Sequence, residues 1–393
     1  MSFPVICSIA RTPIGRFNGV FSPLSAVDLG GIAIAAALER ATITGDQIDE
    51  VIFGHVLQAG QGQITSRQAA VKGGIPMTVP STTVNKVCLS GMTAIADASR
   101  RIRLGEASFI VAGGMESMSN APHVLPNART GVGYGDATLV DILTHDGLFC
   151  AFDSCLMGES SDHKNASLGI DREVQDAWSA RSHQRAEAAT ASGAFDEEIV
   201  PVSVPQPRGE ALLVSQDEGF RPGMTVAKLA TLRAAFVPDG TITAGNASQI
   251  SDGAAALVVA DRVAAEQAGL PILAEILGYG QTAGPDATLQ ERPAEAIRLA
   301  AKSAQVSIRD IDLFEFNEAF ASVAYWAGKS LDVSDEIINV NGGAVAFGHP
   351  LGATGARIVV TLVSALRSRG GGIGGAALCG GGGQGDGLIV RVV

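Results

Sequence analysis

The chain repeats a strand-and-helix pattern within itself. Ala33 to Val51 reads as an alanine-rich helix that runs through Thr44-Gly45-Asp46-Gln47-Ile48-Asp49-Glu50-Val51 into a strand. Ala296 to Leu313 repeats this, ending in Ser307-Ile308-Arg309-Asp310-Ile311-Asp312-Leu313. A second parallel starts later. Thr83-Val84-Asn85 leads into a helical stretch from Ser90 to Leu104 and a strand at Ser108-Phe109-Ile110-Val111-Ala112. Asn339-Val340-Asn341 leads into a helical stretch from Thr354 to Ser368 and a strand at Gly375-Ala376-Ala377-Leu378-Cys379. Alternating strand and helix predicts an α/β fold with parallel, buried sheets. Two such halves pack about a pseudo-twofold axis, and loops at equivalent strand ends then converge on one cleft.

The segment between the halves differs. It carries polar helices (Arg172 to Ala191) and the proline-punctuated run Pro201-Val202-Ser203-Val204-Pro205-Gln206-Pro207-Arg208. We read residues 1–119 plus 246–270 as the N-terminal half, 120–245 as an insertion capping the site, and 271–393 as the C-terminal half. Ala254-Ala255-Ala256-Leu257-Val258-Val259-Ala260 is the strand by which the chain returns to the first half.

With 393 residues, the chain can bury two or three cores. It is 46% hydrophobic, 17% charged and carries 48 glycines, a composition of packed enzymes rather than disordered chains. A net charge of −12 argues against nucleic-acid binding, which needs clustered Lys and Arg. Five scattered cysteines without a CxxC pair indicate neither a zinc site nor a disulfide framework. Reduced thiols in the cytoplasm fit this count. Met1 to Arg11 reads as a first strand rather than a signal peptide. No apolar run approaches the roughly 18–20 residues of a membrane span.

Two cysteines and one histidine stand in unusual settings. Cys88, in Val84-Asn85-Lys86-Val87-Cys88-Leu89-Ser90-Gly91-Met92, sits just ahead of a helix. A helix N-terminus offers free N–H groups and a positive dipole end, which favour thiolate over thiol. His349 lies in Gly348-His349-Pro350-Leu351-Gly352-Ala353-Thr354-Gly355. An imidazole there could accept the Cys88 proton or donate to an oxyanion. Cys379 opens Cys379-Gly380-Gly381-Gly382-Gly383-Gln384-Gly385. Gly380, Gly382 and Gly385 spell GxGxxG, but the strand-like Gly387 to Val392 follows where a dinucleotide site needs a helix. The glycines read better as a backbone-lined oxyanion hole, with a plain hairpin as the alternative. Cys7, Cys150 and Cys155 read as structural thiols. His55, His123, His145, His163 and His183 read as structural or exposed. Asn317-Glu318-Ala319-Phe320 follows an apolar strand, where an amide could hold a water or simply cap a turn.

These residues together resemble the thiolase family over essentially the whole chain. Asn85-Lys86-Val87-Cys88-Leu89-Ser90-Gly91 looks like its nucleophile block. Asn317-Glu318-Ala319-Phe320, Asn341-Gly342-Gly343-Ala344, Gly348-His349-Pro350 and Cys379-Gly380-Gly381-Gly382 look like its other active-site blocks, in the family's order. Ala244-Gly245-Asn246-Ala247-Ser248 and Asp252-Gly253-Ala254-Ala255 match its return to the first half. The resemblance implies a five-layered α-β-α-β-α core from two duplicated halves, with an inserted loop domain over a coenzyme A site. It implies a dimer or a dimer of dimers; Gly131-Val132-Gly133-Tyr134-Gly135-Asp136 resembles part of a tetramer-forming loop. The implied reaction is a reversible Claisen condensation of two acetyl-CoA to acetoacetyl-CoA, or thiolysis in reverse. Acetyl-CoA, acyl-CoA and CoA are the implied partners, with no metal and no further cofactor. Carried over by motif, Cys88 is the acylated nucleophile, His349 its activator and Cys379 the acid/base at the second substrate's α-carbon. Asn317 would hold a water that forms one oxyanion hole with His349. The backbone N–H groups of Cys88 and Gly381 would form the other. Arg221, Ser248, Leu148 and Met157 match positions lining the coenzyme A channel.

Three stretches depart from the family pattern. Leu156-Met157-Gly158 stands where acetoacetyl-forming members often have His-Met-Gly. Leu289-Gln290-Glu291-Arg292 replaces Gly-x-Gly-Pro, and Ile64-Thr65-Ser66 replaces Asn-Pro-Ala. These changes bear on the acyl pocket, so a longer-chain 3-ketoacyl-CoA thiolase is one alternative. A β-ketoacyl synthase-like condensing enzyme is another, although it would use a second histidine at Cys379. A non-catalytic acyl-CoA-binding protein and a nicotinamide dehydrogenase complete the alternatives.

Overall fold

The computed structural model describes residues 2–392, so Met1 of the expected first strand lies outside the described residues. Nine strands form one continuous path: β1 (Pro4–Arg11), β2 (Glu50–Gly54), β3 (Ser81–Val84), β4 (Phe109–Ser117), β5 (Ser251–Asp261), β6 (Ala274–Ala283), β7 (Leu313–Phe316), β8 (Gly372–Gly380) and β9 (Gln384–Val392). Their order is β7-β8-β9-β6-β1-β5-β4-β2-β3, and the two-residue strand Gly15–Arg16 pairs onto β5. The halves meet where β1 pairs with β6 at Val5↔Glu275 and Ile6↔Ala274.

The duplication is visible in the pairing. β2 runs parallel to β4, which is antiparallel to β5, which is antiparallel to β1. Likewise β7 runs parallel to β8, which is antiparallel to β9, which is antiparallel to β6. The outer strand β3 has its counterpart in a single parallel bridge between Phe314 and Ile338. The expected all-parallel sheets are therefore mixed. In the second half β9 returns from β8 by a tight hairpin, which only antiparallel strands permit. In the first half the chain returns through β5 after the insertion.

Among the described residues, eight helices of eight or more residues complete the layers: α1 (Ala26–Ala41), α2 (Thr65–Lys72), α3 (Ser90–Leu104), α4 (Met157–Leu168), α5 (Arg172–Ala191), α6 (Arg292–Ala304), α7 (Ala321–Leu331) and α8 (Leu351–Arg367). Helices α1 and α2 cover the outer face of the first half, while α6 and α7 cover that of the second. Helices α3 and α8 pack on each other between the two sheet halves. Side chains divide accordingly. Val111 faces the core under α1, while Ile110 and Ala112 face the central helices. Ile389 faces the core under α6 and α7, while Leu388 and Val390 point to the centre. Strands buried on both faces cannot alternate apolar with polar, which explains their continuous apolar runs. This is the five-layered α-β-α-β-α arrangement.

The central helices approach backbone to backbone. A Cβ on Gly91 would lie 2.8 Å from the Ala356 nitrogen, and one on Gly355 would lie 2.3 Å from the Met92 nitrogen. Helix α8 starts at Leu351, earlier than Thr354, because Pro350 occupies its N-cap and Gly352 and Gly355 lie inside the helix. Each interior glycine costs about 1 kcal/mol of helix propensity. The close crossing requires them.

Residues 120–245 contribute α4, α5 and several short hairpins. Helix α5 spans the residues expected, and Asp171 caps it by accepting from the Val174 N–H. Arg11 at the end of β1 ties this segment down. Its guanidinium donates to Glu198 at 2.6 Å and to both oxygens of Asp217 at 2.7 and 3.0 Å, all buried. No helix among the described residues is long and apolar enough to cross a membrane.

The crossing is testable. A Cβ on Gly114 would sit 1.9 Å from the Gly352 carbonyl oxygen. Gly114→Ala is expected to destabilise by about 3 kcal/mol or more, since backbone must move. A urea-unfolding midpoint equal to that of the parent would contradict this packing.

Candidate active site

The turn carrying Cys88 is strained and heavily tied. Val87 has φ 51°, a left-handed conformation for a β-branched residue. Such strain costs on the order of 1–3 kcal/mol and persists only where surroundings over-determine it. Asn85 Oδ1 accepts the Val87 N–H at 3.1 Å. Ser90 Oγ accepts the Lys86 N–H at 2.8 Å and donates to the Val87 carbonyl at 2.6 Å. Cys88 is thereby held at the mouth of α3, 2% exposed.

The Cys379 hairpin closes against this turn. Gly382 and Gly383 take φ 76° and 68° between β8 and β9, where residues with a Cβ would be strained. The backbone N–H groups of Cys88 and Gly381 lie near enough to the Cys88 sulfur to lower its pKa. A plain hairpin and a donor-lined loop are thus the same structure. Cys379 is 1% exposed and packs with Ala319, Phe320, Leu289 and Met157. The two sulfurs are close enough that charge on Cys88 raises the Cys379 pKa.

His349 arrives on the third loop, 5% exposed, with its backbone N–H donated to the Gln249 carbonyl at 3.1 Å. Its Nδ1 lies 2.7 Å from Thr354 Oγ1, and that hydroxyl donates to the Pro350 carbonyl at 2.9 Å. A hydroxyl has one proton. Having given it to Pro350, Thr354 must accept from His349 Nδ1–H. This fixes the tautomer and leaves Nε2 with a free lone pair. Asn317 Nδ2 approaches Nε2 at 3.4 Å, and Asn317 Oδ1 is buried without a protein partner.

Burial dominates the electrostatics. It pushes the Cys88 thiol up to about 12, against the lowering by the Cys88 and Gly381 N–H groups. It raises Cys379 further, helped by Cys88. Burial, then Arg357, lowers His349 to about 3. The expectation that the helix end would make Cys88 a thiolate is corrected: desolvation outweighs the donors in the free protein. The resting pair is thiol and neutral imidazole.

A cavity of about 430 Å³ ends at His349. Leu148, Met157 and Ser248 line it, together with Met118, Leu156, Phe236, Phe320 and Leu351. Neither sulfur lines the cavity itself: Cys88 belongs to the same core cluster as Met118, Leu148 and Leu351 of this wall, and Cys379 to that of Phe320 and Met157. Arg221 does not line the cavity. It is exposed at the surface, with its backbone N–H on His183 Nδ1 at 3.1 Å. Among the departures, Leu156 reaches the cavity. Leu289 packs against Cys379, and Gln290 is buried on Ser161 and Asn165. Ile64 is exposed, away from the cavity.

Sequence reasoning missed three supporting carboxylates and hydroxyls. Thr354 gave no signal beyond a helix start. Buried Glu116 accepts from the N–H groups of Val56, Leu57 and Gly352, pinning the first turn of α8. Glu318 takes four donors, from Trp178, Ser182, Asn339 and Val345, beside Asn317. His55, Cys7 and His183 are buried; no cluster of metal-ligating side chains occurs among the described residues.

Two buried thiols and a tautomer-locked imidazole beside one apolar cavity are the groups that a condensing-type acyl-transfer site needs. The comparisons agree. Residues 4–263 match the model "Thiolase, N-terminal domain" and residues 270–392 match "Thiolase, C-terminal domain". The chain belongs to the thiolase family. It is 50% identical to the "Probable acetyl-CoA acetyltransferase" of Mycobacterium leprae (strain TN) over 393 residues, 100% of both chains. It is 48% identical to the "Acetyl-CoA acetyltransferase" of Escherichia coli (strain K12) over 388 residues, 98% of both. The crystal structure of the Bacillus anthracis acetyl-CoA acetyltransferase superposes with a TM-score of 0.97 at 39% identity, covering 100% of this chain and 99% of that one.

Two outcomes check the electrostatics. Below a pKa near 12 the thiolate fraction rises tenfold per pH unit. Alkylation of Cys88 by iodoacetamide is therefore expected to rise with a log–log slope of about 1 from roughly pH 6 to pH 9. A plateau within that range would show a resting thiolate. Thr354→Val removes the acceptor for His349 Nδ1 and is expected to slow Cys88 acylation roughly ten- to hundredfold in single-turnover assays. An unchanged rate would refute the tautomer lock.

Proposed function

We infer that this chain is an acetyl-CoA C-acetyltransferase, condensing two acetyl-CoA to acetoacetyl-CoA, and reversing that by thiolysis, through an acyl-Cys88 intermediate. Two observations support this: Cys88, Cys379 and the Gly381 N–H lie within electrostatic reach of one another, and His349, its Nε2 beside Asn317, lines an apolar cavity. The names of the full-length relatives favour acetyl over longer-chain substrates, and free CoA thioesters over carrier-bound ones.

In the first half-reaction Cys88 Sγ attacks the acetyl-CoA carbonyl. Its proton passes to His349 Nε2, and the C–S bond to CoA breaks. The imidazolium then returns the proton to the departing CoA sulfur. Protonated Nε2 can also donate to a thioester oxygen, with a water held by Asn317 as the second donor; the unpaired Asn317 Oδ1 supports that role. In the second half-reaction Cys379 removes an α-proton from a new acetyl-CoA. The resulting carbanion attacks acyl-Cys88, whose developing oxyanion faces the Cys88 and Gly381 N–H groups; the C–S bond to Cys88 then breaks, acetoacetyl-CoA leaves, and the proton taken up by Cys379 passes to the departing Cys88 sulfur.

Residues 120–245 act as a cover for the coenzyme A site: Leu148, Met157 and Phe236 of the cavity wall come from it. Ser248 would line the pantetheine path, and Arg221 would meet the nucleotide phosphates beyond the cavity. The reading needs no metal or cofactor besides the CoA thioesters. Five free cysteines, two of them needed as thiols, suit the reducing cytoplasm. A dimer or dimer of dimers is proposed, the latter supported by exposed Val132, Tyr134 and Leu139 on one protruding loop.

Intact-mass analysis with acetyl-CoA alone is expected to show one acetyl group, mapped to Cys88. Cys379→Ala is expected to keep that acetylation while losing condensation by at least roughly 10²–10⁴-fold. Acetyl mapped elsewhere, or a fully active Cys379→Ala, would overturn the assignment.

A further inference from the structure

The nucleophile turn and the base hairpin come from sequence positions nearly the whole chain apart, yet they face each other residue by residue. Leu89 packs over Gly380, where an added Cβ would lie 2.5 Å from the leucine Cγ. Val87 packs over Gly381, 3.4 Å from the corresponding point. The third contact is polar. Lys86 Nζ donates to Asp386 Oδ1 at 2.8 Å. Asp386 is fully buried, and its Oδ2 accepts from Thr93 Oγ1 of α3, also at 2.8 Å. The buried Tyr279 hydroxyl is near the same carboxylate without completing a hydrogen bond.

The position of Asp386 matters. It pairs directly across the β8–β9 ladder with Leu378, next to Cys379, and across β9–β6 with Gln281. It therefore moves with the strand that carries the base. Lys86 is two residues from Cys88, on the far side of the strained Val87. Apolar contacts at Leu89 and Val87 keep the two loops touching but do not fix their lateral register. A charge-assisted hydrogen bond onto a fully buried carboxylate does, because sliding by an ångström would leave that carboxylate short of its cation.

We propose that the Lys86–Asp386 pair, with Thr93, is a strut that sets the separation of Cys88 and Cys379, making Lys86 and Asp386 positioning residues for the condensation half-reaction. This rests on the assignment of Cys88 as nucleophile and Cys379 as base. Acylation needs Cys88 and His349, which the strut does not join. Condensation needs the acyl group and the carbanion, which the strut brings into register.

The test uses Lys86→Met, Asp386→Asn, Lys86→Arg and the milder Thr93→Val in the full chain. For each, Cys88 acetylation by acetyl-CoA is followed by intact mass, and kcat and KM are measured for condensation. Lys86→Met and Asp386→Asn are expected to keep full acetylation and a KM within about twofold, while kcat falls ten- to hundredfold. Lys86→Arg is expected to recover most of kcat, because it keeps the charge and the reach. Thr93→Val is expected to lower kcat a few-fold, and it decides the matter alone if the other variants do not fold. The proposal is overturned if kcat of the folded variants stays within twofold of the parent. It is also overturned if acetylation falls in step with kcat, or if Lys86→Arg is no better than Lys86→Met. Failure of the parent protein itself to acetylate at Cys88 would instead overturn the underlying assignment.

Discussion

The crossing of α3 and α8 at bare backbone is the contact on which the rest depends. With Gly91 set against Ala356 and Gly355 against Met92, the two helices touch without side chains between them. Both helices point their N-terminal ends to the same side of the central layer, and each end carries a loop. One loop bears Cys88 and the other His349. Had either helix carried an ordinary side chain at the crossing, the layer would thicken and the two loops would part. The glycines therefore lower helix propensity so that the centre of the molecule can close. Gly114 of β4 meets Gly352 in the same way, so sheet and helix share the constraint.

That closeness has an electrostatic consequence. All three reactive groups are almost wholly buried, and burial disfavours whichever form is charged. Thiols are pushed up and the imidazole is pushed down. The resting site is thus neutral, and in the proposed mechanism proton transfer from sulfur to nitrogen coincides with charge developing on a bound thioester. Donors already aimed at that charge make the coupling effective. A site of this kind is quiet toward small electrophiles and active toward the molecule that completes it. The structural carboxylates follow a different rule. Glu318 and Glu116 are as buried as the catalytic groups, but each is surrounded by donors, and they lie behind the cavity wall instead of in it.

Much of this was legible in the sequence, for a physical reason. Cys88, His349 and Cys379 sit in glycine- or proline-marked loops whose backbone chemistry is local, and Asn317 directly follows an apolar strand. The repeat of helix and strand was legible because both faces of the sheet are buried, which leaves long apolar runs. Strand direction was not, since apolar runs do not record which way a chain returns. The start of α8 was misplaced because Gly352 and Gly355 resemble loop residues until the facing helix is seen. Glu116 and Asp386 were invisible because their meaning lies in partners far along the chain, and Thr354 because its pairing with His349 five residues away depends on how the loop enters the helix. Arg221 was placed by a short local match, and the structure leaves it outside the cavity wall.

The division between local and distant signals also explains how the site is built. Loops with local signatures supply the reacting atoms. Pairs of non-reacting side chains supply the distances between those atoms: Thr354 aims an imidazole from five residues away, while Glu116 anchors a helix end and Arg11 ties residues 120–245 to the first strand from far along the chain. A reacting group tolerates no substitution because its chemistry is unique. A distance, by contrast, can be set by any pair of side chains that spans it. Two chains of this family could then share every reacting residue and still differ in the pairs that hold them. The departures at Leu156, Leu289 and Gln290 are of this second kind: they contact the cavity or the base hairpin's surroundings and replace none of the atoms that react.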